Sequence, residues 1–246
     1  MKKKQSKGFK AKKKKQSKGF IIVASKKHAF YRYAKLLAES VRDFWPEANI
    51  TFFTEKEWVQ EEDYDLFDNI IKDDVPSHIR TKLWALNKTP YDITCYLDAD
   101  MMCMHEDIVN VFDQLPDDKD IVFTKNRPYN AKLTKLSNTE EMTCHCGFFI
   151  YRKTPAMMDL MGAWWTEYLK QWEPDYDIAH YPKDAIKWDT FTMWRLLTYG
   201  GHDINWGYIK EPDARWNFIN GYTPDELKGT EIVLYHHTIP KEELER

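Results

Sequence analysis

The segment ITCYLDADMM carries Asp98 and Asp100, two carboxylates one residue apart, where a run of apolar residues ends. Carboxylates spaced this way can present oxygens to one hard divalent cation such as Mg²⁺ or Mn²⁺, which stays partly hydrated and ready for substrate phosphates. The same D-x-D pattern occurs at Asp63/Asp65, Asp118/Asp120 and Asp175/Asp177. Those pairs lie in polar surroundings with no strand leading in, and they read as solvated surface. A third ligand and a cation to face a phosphate stand together in VLYHHTIPK. His236 and His237 alternate faces on a strand, so one of the two points into the site. Lys241 follows a Pro-containing turn.

The elements that must position these residues alternate along the chain. Phe20–Ala24 suits a buried strand. His28–Phe44 reads as a helix, with Phe30, Tyr33, Ala34, Leu37, Val41 and Phe44 at three- and four-residue spacings. Further strands are expected at Ile50–Phe53, Asn69–Ile71, Ile93–Leu97 and Ile121–Thr124, with helices from Ser77 to Asn87 and over Asp107–Leu115. Beyond the long polar stretch Lys125–Thr143 come a strand at Gly147–Tyr151, a helix over Pro155–Gln171, a loop at Glu173–Lys187, a helix at Trp188–Tyr199 and a closing strand at Ile232–Tyr235. Strands alternating with helices predict an α/β fold, with a mainly parallel sheet covered on both faces. Ligands of such sheets bind outside the carboxyl ends of the strands, which is where Asp98 and Asp100 fall.

The chain of 246 residues, 43% hydrophobic and 15% aromatic, is long and apolar enough for one large domain with a real core. Its charge is uneven. Met1–Gly19 holds ten lysines and no acid, so the net −3 of the whole becomes −13 for the remainder. The phrase KKKQSKGF appears at Lys2–Phe9 and again at Lys13–Phe20, and only the second copy runs into the apolar IIVAS. We therefore expect a disordered lysine-rich arm over residues 1–18 and a domain over 19–246, whose second half, from about residue 125, is less regular. Such an arm could contact nucleic acid or an anionic surface. The alternative reading is thus a nucleic-acid-binding protein acting through the arm, although the acidic body is a poor general partner for nucleic acid.

No apolar run reaches the roughly 7–15 residues of a secretory h-region or the roughly 20 of a membrane span. Four cysteines in so long a chain do not suggest a disulfide framework, and the expected setting is a reducing, cytoplasmic one. Cys144-His145-Cys146 lacks the second ligand pair of a structural zinc site. Of Trp164, Trp165, Trp172, Trp188 and Trp194, most should be core, with one or two lining a groove where an aromatic face can stack on a sugar.

The block SHIRTKLWALNKTPYDITCYLDADMMCMHEDIVNVFDQL resembles the central block of GT-A glycosyltransferases, especially family-8-like enzymes, in which a strand ending in L-D-A-D leads to the nucleotide-sugar site. HCGFFIYRKTP is similar to their N-S-G strand, with Gly147 at the glycine and His145 where asparagine is usual. WDTFTMWRLL is similar to their D-Q helix start, with Asp189 at the acid and Thr190 replacing glutamine. HTIPK resembles the late H-G-x-P-K element, with His237 at the histidine, Thr238 in place of glycine and Lys241 at the lysine. RWNF, with Asn217, resembles the W-N before the last strand. The resemblance spans Phe20–Lys241.

What the resemblance implies is a GT-A sheet, a UDP-sugar donor, Mn²⁺ or Mg²⁺, an acceptor of unknown kind and retention at the anomeric carbon. It implies a metal site of Asp98, Asp100 and His237. It places Val23, Ala24, Ser25, Ala99 and Gly147 along the nucleotide-sugar pocket, Tyr31 near the base and Lys82 near the donor. Asp189 would face the donor sugar or the acceptor, and Lys241 the departing phosphate.

Overall fold

The computed structural model describes residues 16–127, 134–227 and 230–244, without the side chain of Lys241. Most of the lysine-rich arm and part of the Lys125–Thr143 stretch therefore lie outside the described residues. The core is a seven-stranded sheet in the order β3-β2-β1-β4-β7-β6-β8. Its strands are β1 (Lys18–Ala24), β2 (Ile50–Thr54), β3 (Asn69–Ile71), β4 (Ile93–Leu97), β6 (Ile121–Lys125), β7 (Cys144–Arg152) and β8 (Trp206–Tyr208). Only β7 runs against its neighbours, β4 and β6, so the sheet is mainly parallel as expected. A separate ribbon pairs β5 (Met101–Cys103) with β9 (Leu234–His236).

Successive side chains of β1 point to opposite faces, and both faces are covered. Phe20, Ile22 and Ala24 pack against Tyr31, Ala34, Leu37 and Val41 of the helix His28–Phe44. Ile21 and Val23 pack instead with Leu83 and with Met157, Leu160 and Trp164 of the helix Pro155–Lys170. The first helix is rotated from the face its large residues suggest. Ala29, Tyr31 and Ala38 are buried, whereas Phe44 is on the outside. Three alanines on the inner face, Ala29, Ala34 and Ala38, let the backbone approach the sheet, and Phe44 is left at the margin.

That rotation also overturns one surface assignment. The Tyr31 hydroxyl donates to Asp63 Oδ2 at 2.6 Å, and Lys35 Nζ lies 2.9 Å from Asp63 Oδ1. Asp63 is thus fully buried rather than part of a solvated D-x-D pair, and a buried carboxylate persists only when paired in this way. The helix expected from Ser77 is shorter than its sequence suggests, running Thr81–Ala85 with a 3-10 turn to Lys88. The Thr81 hydroxyl bonds the Pro76 and His78 carbonyls, which holds Ser77–Arg80 as an irregular turn. At the start of the sheet, a Cβ on Gly19 would lie 2.3 Å from the Tyr91 ring, so the second GF phrase is built into the domain.

Candidate active site

The carboxyl ends of β1 and β4 open onto a cleft of about 420 Å³. β4 delivers Asp98, whose N–H donates to the Gly147 carbonyl at 2.9 Å and extends the β4–β7 ladder. The Met101 N–H then closes a turn on the Asp98 carbonyl at 3.1 Å, which places Asp100 at the root of the β5–β9 ribbon. Ribbon register pairs Met101 with His236. His236 Nε2 consequently lies 3.3 Å from Asp100 Oδ1.

The strand register settles which histidine joins the acids. Asp98, Asp100 and His236 offer one ligand atom each, all within 4.8 Å of one another. His237, the residue the resemblance favoured, donates only its backbone N–H to the Asp100 carbonyl, at 2.8 Å. Its ring stands edge-on to Tyr235, 4.4 Å between centroids. Two carboxylates and an imidazole suit a hard or borderline divalent cation. A Cβ on Gly147 would come within 2.8 Å of Asp98 Oδ2 and of the His145 and His236 rings, so glycine there lets those three side chains approach one another. A second group, His105, Asp107 and Glu231, is already bridged by Arg215, whose guanidinium is 2.6 Å from Asp107.

Beside the acids runs a buried ion network. Lys82 Nζ donates to Asp98 Oδ1 and to the Cys146 carbonyl, both at 3.0 Å, and lies 2.6 Å from Asp189 Oδ2. The Lys82 ammonium is thus shared between the two carboxylates, Asp98 and Asp189, of the cleft. Arg80 stands 4.0 Å from the same oxygen, and its guanidinium lies over the Trp188 ring at 5.7 Å. Burial works against the Asp189 charge, but Lys82 and Arg80 outweigh it and hold the carboxyl down to about 2. Burial likewise opposes the Lys82 charge, and Asp189 and Asp98 raise its pKa regardless. The Tyr96 hydroxyl completes the Asp98 environment at 2.6 Å.

The histidines are set by charge and burial in opposite directions. Burial disfavours charge on His236, yet Asp100 more than offsets it, and the pKa is raised. His145 is driven well below its ordinary value by burial and by His236, and stays neutral.

Most residues singled out in the sequence meet in this cleft. Val23, Ser25, Lys82, Asp98, Ala99, Asp100, Gly147, Asp189 and His237 line it, as do His145, Thr190 and Thr238. Two do not. Ala24 is packed into the core on the opposite side of β1, and Tyr31 is committed to Asp63, so the neighbouring Phe30 faces the cleft instead. Lys241 opens the helical turn Lys241–Leu244, and its side chain lies outside the described residues. Arg80 was missed, whereas Trp188 is one of the five tryptophans among which a groove-lining one was expected. A cation two residues before Lys82 was the available signal for Arg80.

No protein-family model and no curated protein sequence matches the chain. Its structure does match solved ones. Mouse xyloside xylosyltransferase 1 superposes with a TM-score of 0.54 at 13% identity, over 90% of this chain and 97% of that one. A glycosyltransferase involved in glycosylation of the major capsid of PBCV-1 gives 0.55 at 12%, over 93% and 97%. The fold is GT-A. The galactosyltransferase LgtC, solved with donor and acceptor sugar analogs, gives 0.50 at 15% identity, over 90% and 87%. The GT-A likeness spans nearly the whole of these chains, so the cleft belongs to the shared body of the fold.

Proposed function

We propose that this chain is a glycosyltransferase that moves a sugar from a nucleotide-diphosphate donor, with UDP as the nucleotide, to an acceptor hydroxyl with retention of anomeric configuration. The observation that carries the reading is the meeting of Asp98, Asp100 and His236 at the carboxyl end of β4, inside the cleft of a GT-A body. These three residues would hold Mn²⁺ or Mg²⁺. When bound, such an ion neutralises charge on the diphosphate as its bond to the sugar breaks.

The chain's own residues supply the rest. Val23 and Ser25 would line the nucleotide. Ser25 is fixed for this between two acceptors of its hydroxyl proton, Glu55 at 2.7 Å and the Pro76 carbonyl at 2.8 Å. Lys82 holds Asp98 and Asp189 in place, so the site meets the donor with its charges already arranged. Asp189, held ionised between Lys82 and Arg80 at the wall of the cleft, would face the donor sugar or the acceptor. Trp188, 39% exposed at the cleft, offers an apolar face to a second sugar. Lys241 would reach the leaving phosphate.

The test is turnover of a panel of UDP-sugars with Mn²⁺, followed as released UDP. Asp100→Ala should lower turnover by a hundredfold or more, and undiminished activity in that variant would overturn the proposal.

A further inference from the structure

Behind His236, on the side away from Asp100, the fully buried Asn217 bridges two histidines. Its Oδ1 is 2.8 Å from His236 Nδ1, and its Nδ2 is 2.9 Å from Thr124 Oγ1 and 3.0 Å from His145 Nδ1. The proton positions along this chain follow from one backbone group. The Gly147 N–H donates to His145 Nδ1 at 3.0 Å, and a backbone amide can only donate. His145 Nδ1 is therefore an acceptor, and its ring proton sits on Nε2. The Asn217 group facing that nitrogen must then be the NH₂, which turns the amide oxygen toward His236. An oxygen there requires the proton of His236 on Nδ1. Its Nε2 is left with a lone pair, aimed at Asp100.

We propose that Asn217, oriented by His145, fixes His236 in the Nδ1–H tautomer and so makes Nε2 a ligand for the cation of the site. Two acceptors 3.3 Å apart, the Asp100 carboxylate and the Nε2 lone pair, repel unless something positive lies between them. In the metal-free ring a second proton on Nε2 fills that place, and a divalent cation would fill it in the proton's stead. Support from behind a metal-binding imidazole governs its tautomer and affinity. His145 stands where asparagine is usual in the resembling strand, and this gives it a task. It is a positioning residue that reads the Gly147 amide and passes the orientation through Asn217. The backbone holds the relay in register. The Phe218 N–H bonds the Leu234 carbonyl at 3.0 Å, and the His236 N–H bonds the Phe218 carbonyl at 2.8 Å.

The cation half of this inference rests on the proposed function, whereas the tautomer half does not. The first measurement is a long-range ¹⁵N–¹H correlation spectrum of histidine-labelled, metal-free protein at alkaline pH. Protons on Nδ1 of His236 and Nε2 of His145 are expected, and the reverse at His236 overturns the proposal. The second is Mn²⁺ affinity by calorimetry, with and without UDP. His145→Phe removes the acceptor that orients Asn217, so affinity should fall about tenfold or more. Adding Asn217→Asp, which can only accept from His236, should restore it. Unchanged affinity in His145→Phe, or no rescue in the double variant, also overturns the proposal. Should these variants fail to fold, the wild-type spectrum still decides. A correct tautomer without Mn²⁺ binding refutes the cation role and the metal-dependent mechanism together, but leaves the relay's geometry standing.

Discussion

At the scale of single residues, the site depends on charges that are buried and mutually neutralised. Asp189 is 4% exposed and shares Lys82 with Asp98. Its folded pKa of about 2 lies below the ordinary 3.8, so the interaction stabilises the fold at any pH above the unfolded value. That contribution is lost as pH falls through the folded value. It amounts to on the order of 2 kcal/mol. Asp189→Asn should therefore be less stable than wild type at neutral pH, with the gap closing between about pH 4 and pH 2. Urea denaturation at stepped pH measures this, and a gap independent of pH contradicts it. Gly147 is limiting in a different way, because an added methyl meets three groups of the site at 2.8 Å. Gly147→Ala should cost about 1–3 kcal/mol of stability. It should also weaken Mn²⁺ binding by about tenfold or more, read by calorimetry on the folded variant.

At the scale of elements, pairing rather than side-chain type decided what could be read in advance. The strand ending in LDAD and the helix opening at Asp189 are signalled locally, by an apolar run that stops at acids and by three- and four-residue spacing. The choice between His236 and His237 is not local. It depends on β5, a three-residue strand too short to leave a pattern, and on its register with β9. Tyr31 was misplaced for a similar reason, since Asp63 lies 32 residues away and nothing nearby marks it as buried. The 3-10 turn Asp213–Trp216 that precedes Asn217 is held from outside as well. Arg127 reaches Asp213 Oδ2 and the Asn217 carbonyl, both at 3.2 Å, from a buried position. Arg127→Met should leave buried Asp213 with the Lys125 N–H at 2.6 Å but without its guanidinium partner, at a cost of about 3 kcal/mol. Because the same guanidinium holds Asn217, Mn²⁺ affinity should fall along with the urea midpoint. A loss of stability with affinity intact would separate Arg127 from the site.

At the scale of the whole molecule, the doubled KKKQSKGF is divided by where the domain begins. β1 starts at Lys18, and Ser17 ahead of it is already engaged, its N–H and hydroxyl donating to Asp92 at 2.8 and 3.0 Å. The Ile93 N–H returns a bond to the Ser17 carbonyl at 3.0 Å, and Gly19 fits under the Tyr91 ring. The second copy is thus partly structural, which its sequence identity with the first conceals. Removing Met1–Lys15 should leave the melting temperature and turnover on small acceptors unchanged. Removing Met1–Gly19 strips these contacts from a central strand and should lower the melting temperature by several degrees, at about 2–4 °C per kcal/mol for a domain of this size. Any nucleic-acid binding should disappear with the first truncation, and in the intact chain it should weaken steeply with salt, because ten lysines precede an acidic body. Full turnover in a truncated chain that no longer binds nucleic acid would assign catalysis to the body and reserve the arm for location. Turnover lost with Met1–Lys15 would mean that the lysines take part in the reaction itself.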